Sequence, residues 1–235
     1  MCGRFVLARA NADLVPLFGV AEAADDLPGP RYNIAPSEPV TVVLDSAKAP
    51  GRRLAAARWG LVPAYYRSLA AGPTPFNARI EKLATSGLYR GAFARRRAII
   101  PADGFYERSR AGARPSYYVT PRGGQVLALA GLYEWWREPG PAGGWLLSAT
   151  IVTQPAHGAM VPIHDREPLY LAPDLWADWL DPLTPGDPGL LGAADQASAE
   201  IAADLEFRRV GPAWLSTAPG RKQDGPSLIT PLSQA

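Results

Sequence analysis

The second residue of the chain is its only cysteine, and it follows a methionine of the kind removed when the next residue is small. Cys2 is therefore expected to be the mature N-terminus, with a free amine beside its thiol. Ordinary pKa values of about 7.7–8.0 for the amine and about 8.5 for the thiol leave part of each nucleophilic at neutral pH. An aldehyde would condense with the amine to a Schiff base, and the thiol would close on the imine to give a five-membered thiazolidine. An acyl group is the alternative electrophile, which would make the same residue a peptidase nucleophile. The plainest reading of Cys2 is a small residue entering a first strand.

Read by themselves, Glu107, which follows Phe105 and Tyr106, is an ordinary strand-edge charge, and His164, in the polar cluster His164, Asp165, Arg166, Glu167, is a satisfied structural histidine, the other histidine being His157. Asn77 precedes the spacing Ile80, Leu83, Ala84, Leu88, Tyr89, which predicts a helix with Asn77 as its N-cap. No pair of histidines has metal-ligand spacing, and neither a P-loop nor a dinucleotide fingerprint is present, so no metal and no cofactor are expected.

The elements that must position these residues are mostly strands. β-branched and aromatic runs bounded by Gly and Pro lie at 39–45, 96–101, 104–108, 116–120, 125–136 and 144–153. Helical spacing recurs at Leu175, Trp176, Trp179, Leu180, opened by Pro173, and at Ile201 with Leu205. Segments 21–30, 136–144 and 182–195 read as loops. Successive strands without βαβ alternation predict an α+β fold, a mostly antiparallel, barrel-like β core with flanking helices in a single domain over 1–235.

With 235 residues, 47% hydrophobic, the chain is long enough for one good core. One cysteine excludes an internal disulfide and a Cys-rich zinc site. Neither a signal peptide nor a run of membrane-spanning length is apparent, so a cytoplasmic protein is expected. The net charge is only +2, yet 21 of the 24 basic residues are Arg. Nine of these and Lys82 fall between Arg79 and Arg122, against Glu81, Asp103 and Glu107, an excess suited to phosphates.

The segments MCGRF at 1–5, RYNIAP at 31–36, RWGLVP at 58–63, FNARIE at 76–81, AIIPADGFYE at 98–107, IVTQPA at 151–156 and IHDREP at 163–168 occur in an order that resembles the SRAP (SOS response-associated peptidase) family. The resemblance spans nearly the whole chain. It implies a monomeric sensor that binds abasic sites in single-stranded DNA, crosslinks to them through Cys2 and shields them, and that associates with the nucleoid when engaged. Reversal of the adduct, a lyase side activity, or an autopeptidase using Cys2 and His164 are further activities it suggests. By the same resemblance Cys2 is the nucleophile, Asn77 the polar residue beside it, Glu107 the acid/base carboxyl and His164 the site imidazole. For DNA, Arg4, Arg79 and Trp59, with Asn33 and Arg166 from the RYNIAP and IHDREP segments, are expected to hold phosphates and stack bases, with Tyr65 and Tyr66 nearby. The chain departs from the family pattern at Arg108, where relatives often carry Trp, at Glu167, where Met or Arg is common, and over 216–231.

Overall fold

The computed structural model describes residues 3–110, 112–141, 143–216 and 222–233. Met1 and Cys2 lie outside these residues. The strands are β1 (Phe5–Leu7), β2 (Glu22–Ala23), β3 (Arg31–Ile34), β4 (Pro39–Ser46), β5 (Ala49–Trp59), β6 (Asn77–Arg79) and β7 (Arg97–Ala102). They continue with β8 (Gly104–Arg108), β9 (Ser116–Pro121), β10 (Leu127–Arg137), β11 (Trp145–Pro155), β12 (Arg166–Pro168) and β13 (Leu205–Val210). The helices are α1 (Asn11–Phe18), α2 (Arg90–Arg95), α3 (Trp176–Leu180) and α4 (Pro188–Ala203).

Five strands close on themselves in the order β11-β10-β7-β4-β5, antiparallel until the last step, where Ser148 and Ala149 of β11 pair in parallel with Arg58 and Trp59 of β5. Closure removes the open edges that would otherwise be liable to pair with other chains. The barrel wall is covered on its outer side as well, which is why every residue of β7 is buried. The second sheet, β13-β9-β8-β1-β3, is antiparallel throughout. Its alternating side chains split between two cores. Phe5, Leu7, Phe105, Val119 and Leu205 join the main core. Val6, Tyr106, Tyr118 and Val210 pack on the other face with Trp214 and Leu228 of the C-terminal segment.

Local chemistry explains the joints. At Gly104, where β8 begins, a Cβ would stand 2.5 Å from the Val119 carbonyl and 2.6 Å from the Tyr118 ring, so only glycine lets β8 lie this close to β9. The Arg97 guanidinium is buried and donates to six carbonyls, of Phe93, Ala94, Asp178, Trp179, Asp181 and Thr184, tying α2 and α3 to β7. A cation with that many acceptors can stay buried without a carboxylate partner.

The expected α+β class, the single domain and the six strand segments are all present, each strand within about two residues of its expected bounds. Three expectations are corrected. No helix follows Asn77; the residue is part of β6, and Ile80–Lys82 forms one 3-10 turn whose N-cap position is Arg79, without a side-chain cap. Asn77 is therefore not an N-cap: pairing with Ile151 of β11 outweighs the local spacing. The third helix, α4, starts far earlier than Ile201, inside the expected loop 182–195, where Asp187 accepts the Leu190 N–H at 2.8 Å and Pro188 occupies the first turn. Leu205 is not in that helix but opens β13.

Candidate functional site

Alternation along β8 sends Phe105 into the main core and Tyr106 to the opposite face, so Glu107 shares the core side of the sheet. Only 6% of Glu107 is exposed, and its Oε1 accepts the Arg108 N–H at 3.2 Å. The main chain of Arg4 runs beside this strand, its carbonyl accepting the Tyr106 N–H at 2.9 Å. Two residues before Arg4 in sequence is Cys2, outside the described residues.

His164 reaches the same place from the connection between β11 and β12. That connection is short and cross-braced: the Ala156 N–H donates to the Asp165 carbonyl at 3.1 Å and the His164 N–H to the Met160 carbonyl at 2.9 Å. The imidazole is 5% exposed, and burial pushes its pKa below the ordinary histidine value. The nearby Glu107 carboxylate opposes that shift and Arg110 adds to it. Burial thus favours the neutral form of the imidazole, and the Glu107 carboxylate is close enough for its charge to be felt.

Arg110 is a site residue that sequence reasoning missed. Its Nη2 lies 2.7 Å from His164 Nε2, its Nη1 3.0 Å from Asp165 Oδ1, and its main-chain N–H donates to the Ile163 carbonyl at 3.3 Å. A guanidinium only donates, so Arg110 addresses Nε2 as an acceptor. Nδ1 has two neighbours, the Arg166 N–H, which donates to it at 3.0 Å, and Asp165 Oδ1 at 2.9 Å; a proton on Nδ1 for Asp165 and acceptance from Arg166 exclude one another. The only prior signal for Arg110 was its place in the basic middle of the chain.

Asn77 and Arg79 are delivered by β6, which pairs in parallel with Ile151 to Thr153 of β11. Trp59 fixes that strand from inside. It is fully buried between Phe5 and Phe76, with ring centroids at 5.1 and 5.6 Å, and its indole N–H donates to the Phe76 carbonyl at 2.8 Å. Arg79 points outward and is exposed. Arg166 is engaged by its neighbours: its guanidinium grips Glu81 at 2.5 and 3.0 Å and the Thr153 carbonyl at 2.6 Å. The bond from Arg166 holds the Glu81 carboxyl below its ordinary pKa, and this clamp joins the β6 side of the site to the His164 side.

The expected DNA contacts thus fall into two groups. Arg79 offers its charge to solvent, and Tyr65 is 70% exposed beside Tyr66, whose hydroxyl donates to the Pro73 carbonyl. Arg4 and Asn33 are buried instead, Arg4 donating to Asn33 Oδ1 at 2.8 Å and to the Trp214 carbonyl at 3.0 Å, and Asn33 to the Gln223 carbonyl at 2.8 Å. They fasten the C-terminal segment to the outer face of the second sheet. Among the described residues, no group of three potential metal ligands gathers, and no helix is long and apolar enough to cross a membrane.

A closed five-stranded mixed barrel, a second antiparallel sheet, and a buried carboxyl and imidazole meeting between β8 and the β11–β12 connection define one class of single-domain α+β protein. The chain belongs to the SOS response associated peptidase (SRAP) family, which it matches over residues 1–213. It is 33% identical over 185 residues to the abasic site processing protein YoqW of Bacillus subtilis, covering 77% of this chain and 81% of that one. It is 32% identical over 187 residues to the abasic site processing protein YedK of Escherichia coli, covering 77% and 79%. Among solved structures, a phage-related protein of Bordetella bronchiseptica shares 28% identity at a TM-score of 0.66, over 89% of this chain and 94% of that one. A protein from Bacteroides thetaiotaomicron superposes with a TM-score of 0.79 over 98% of this chain and all of the other, at 16% identity, a likeness of fold.

Proposed function

We infer that this protein processes abasic sites in single-stranded DNA by covalent capture through Cys2 once Met1 has been removed. The observation that carries the reading is the burial of Glu107 and His164 within range of one another's charge, with Glu107 on the strand that pairs with the chain leading back to Cys2. Family membership and relatives named as abasic site processing proteins supply the substrate.

The chemistry follows from what an abasic site is. Its deoxyribose is a hemiacetal in equilibrium with an aldehyde, and opening it moves a proton from the C1 hydroxyl to the ring oxygen. A neutral imidazole suits that transfer, and His164 is assigned to it. The Cys2 amine attacks the aldehyde carbon, and Glu107 takes the proton the nitrogen sheds and hands it to the departing hydroxyl, so one water leaves and an imine remains. The thiol sulfur then bonds to the same carbon while its proton passes to the nitrogen, closing the thiazolidine with no further loss of mass. Asn77, with an amide that both donates and accepts, orients the sugar hydroxyls. Ring opening in the reverse direction releases the DNA, and β-elimination from the imine, when closure by sulfur is prevented, nicks the strand. Arg79 and the Tyr65 and Tyr66 rings supply phosphate and base contacts. The protein acts as a monomer on cytoplasmic, nucleoid-associated DNA.

The test is incubation with a single-stranded oligonucleotide carrying one abasic site, followed by denaturing gels and intact mass for wild type, Cys2→Ala and Glu107→Gln. The expected adduct equals protein lacking Met1 plus DNA minus one water, is absent in Cys2→Ala and forms slowly in Glu107→Gln. No adduct from a protein with a verified Cys2 terminus refutes the reading and favours a peptidase using Cys2 and His164.

A further inference from the structure

Two of the seven tryptophans are substantially exposed, and they stand together. Trp135 of β10 is 44% exposed and Trp145 of β11 is 65% exposed, with ring centroids 6.5 Å apart and planes at 87°. They project from neighbouring strands in which Trp135 pairs with Leu147 and Arg137 with Trp145, so a rigid sheet fixes their spacing. The Arg137 guanidinium lies 5.9 Å from the centre of the Trp145 ring. Each flank of this ridge is a hollow: one of about 790 Å³ bounded by Lys48, Arg95 and Arg96, and one of about 580 Å³ bounded by Arg58, with Trp135 and Trp145 lining both. The acids lining the two hollows are Glu134, held by Arg96 at 2.7 Å, and Asp26. Cations therefore outnumber acids around the ridge.

Exposed indole faces are costly in water unless something covers them. Rings on a rigid support with surplus positive charge on either side suit one ligand chemistry, unpaired bases on a phosphate chain. Trp145 lies six residues along β11 from Ile151, the partner of Asn77, which at about 3.3 Å per residue puts the ridge roughly 20 Å from the candidate site. That is beyond the abasic residue itself but within reach of its flanking strand. We propose that the Trp135–Trp145 ridge is a second single-strand contact, stacking bases of the DNA flanking the abasic site while Lys48, Arg95 and Arg137 hold its phosphates. This inference rests on the abasic-site reading of the protein and extends it to the length of strand recognised.

The experiment measures equilibrium binding of oligothymidylates of about six and about twenty nucleotides, each with one tetrahydrofuran abasic analogue, which lacks the aldehyde and keeps binding reversible. Wild type is compared with the Trp135→Ala, Trp145→Ala double variant and with Lys48→Glu, after circular dichroism shows native folding. The expected result is a loss of about tenfold or more on the long strand for the double variant, with the short strand unaffected, and a smaller long-strand loss for Lys48→Glu. Equal affinity of wild type for the two lengths, or a double variant that matches wild type on the long strand, overturns the proposal. So does a concentration-dependent dimer abolished by the double substitution, which would make a second copy the occupant. Wild type that binds neither strand sinks the abasic-site reading itself, a result distinct from loss of the length effect alone.

Discussion

Removing the Arg79 side chain should flatten the salt dependence of single-strand binding, while removing Arg166 should not. Arg79 sits on β6 with its charge exposed, whereas Arg166 is occupied by both oxygens of Glu81 and by the Thr153 carbonyl. Each phosphate contact on a single strand contributes about 0.7 to the slope of log affinity against log salt. Arg79→Ala should therefore lower that slope by about 0.7, so that between about 50 and 200 mM salt its affinity falls roughly 2.6-fold less than that of wild type. Arg166→Ala should instead act on the fold. The Glu81 pair is half exposed and is worth little, but the bond to the Thr153 carbonyl is charge-assisted and largely shielded. A loss of about 2–3 kcal/mol follows, seen as a fall of roughly 4–12 °C in melting temperature for a chain of this size. The assay is fluorescence anisotropy over a salt series, with the oligonucleotide carrying the non-reactive abasic analogue, beside thermal melts of both variants. An unchanged slope in Arg79→Ala would refute its place in the DNA path. An equal flattening in Arg166→Ala would show that phosphate draws it from Glu81.

Arg110→Ala removes a cation that helps keep His164 below its ordinary pKa. Protonation of the imidazole then becomes easier, and the acidic limb of crosslinking rate against pH should move to higher pH, with Arg110→Lys closer to wild type; an unmoved limb counts against His164 as the proton acceptor. Replacing Arg97 by Met strips the donors from six carbonyls and should cost about 3–5 kcal/mol in urea unfolding, where a loss below about 1 kcal/mol would contradict the assigned role. Burial raises the pKa of Glu167, with bonds from His157 at 2.7 Å and Gln154 at 3.3 Å acting against the shift. A folded-state pKa above the unfolded one means the native state binds the extra proton, so this contribution to stability is present below the ordinary carboxyl value, about 4.3, and is lost as pH rises through the raised one. Glu167→Gln should therefore flatten the decline in melting temperature over that window, and an unchanged pH profile would contradict it.

How much of the site was legible depended on how local its causes were. The strand runs at 39–45, 96–101 and 144–153 declared themselves because β-branched residues bounded by Gly and Pro carry their signal within a few residues. The segment after Asn77 misled because its apolar spacing at 80–89 fits a helix in isolation, and nothing nearby in sequence reveals that β11 lies alongside to pair with it. Helix α4 was hidden for a related reason: its buried residues are Ala194, Ser198 and Ala202, too small to print an apolar stripe. Glu107 and His164 were nameable through their motifs. That they share one buried space, 57 residues apart, needed β8 and the β11–β12 connection to meet.

By itself the sequence determined the family, the α+β class, and the candidate acid and imidazole. Those properties belong to residue types and short motifs, which are local. Only the tertiary structure decided which basic and aromatic side chains are available to a ligand. Arg4, Asn33 and Trp59 are named by residue type as ligand contacts, and the structure buries all three: Arg4 and Asn33 donate to the Trp214 and Gln223 carbonyls of the C-terminal segment, and Trp59 to the Phe76 carbonyl beside β6. Arg79 and the Trp135–Trp145 pair stay exposed. Exposure and partnership are set by what the rest of the chain packs against a residue, and those neighbours come from strands and loops distant in sequence.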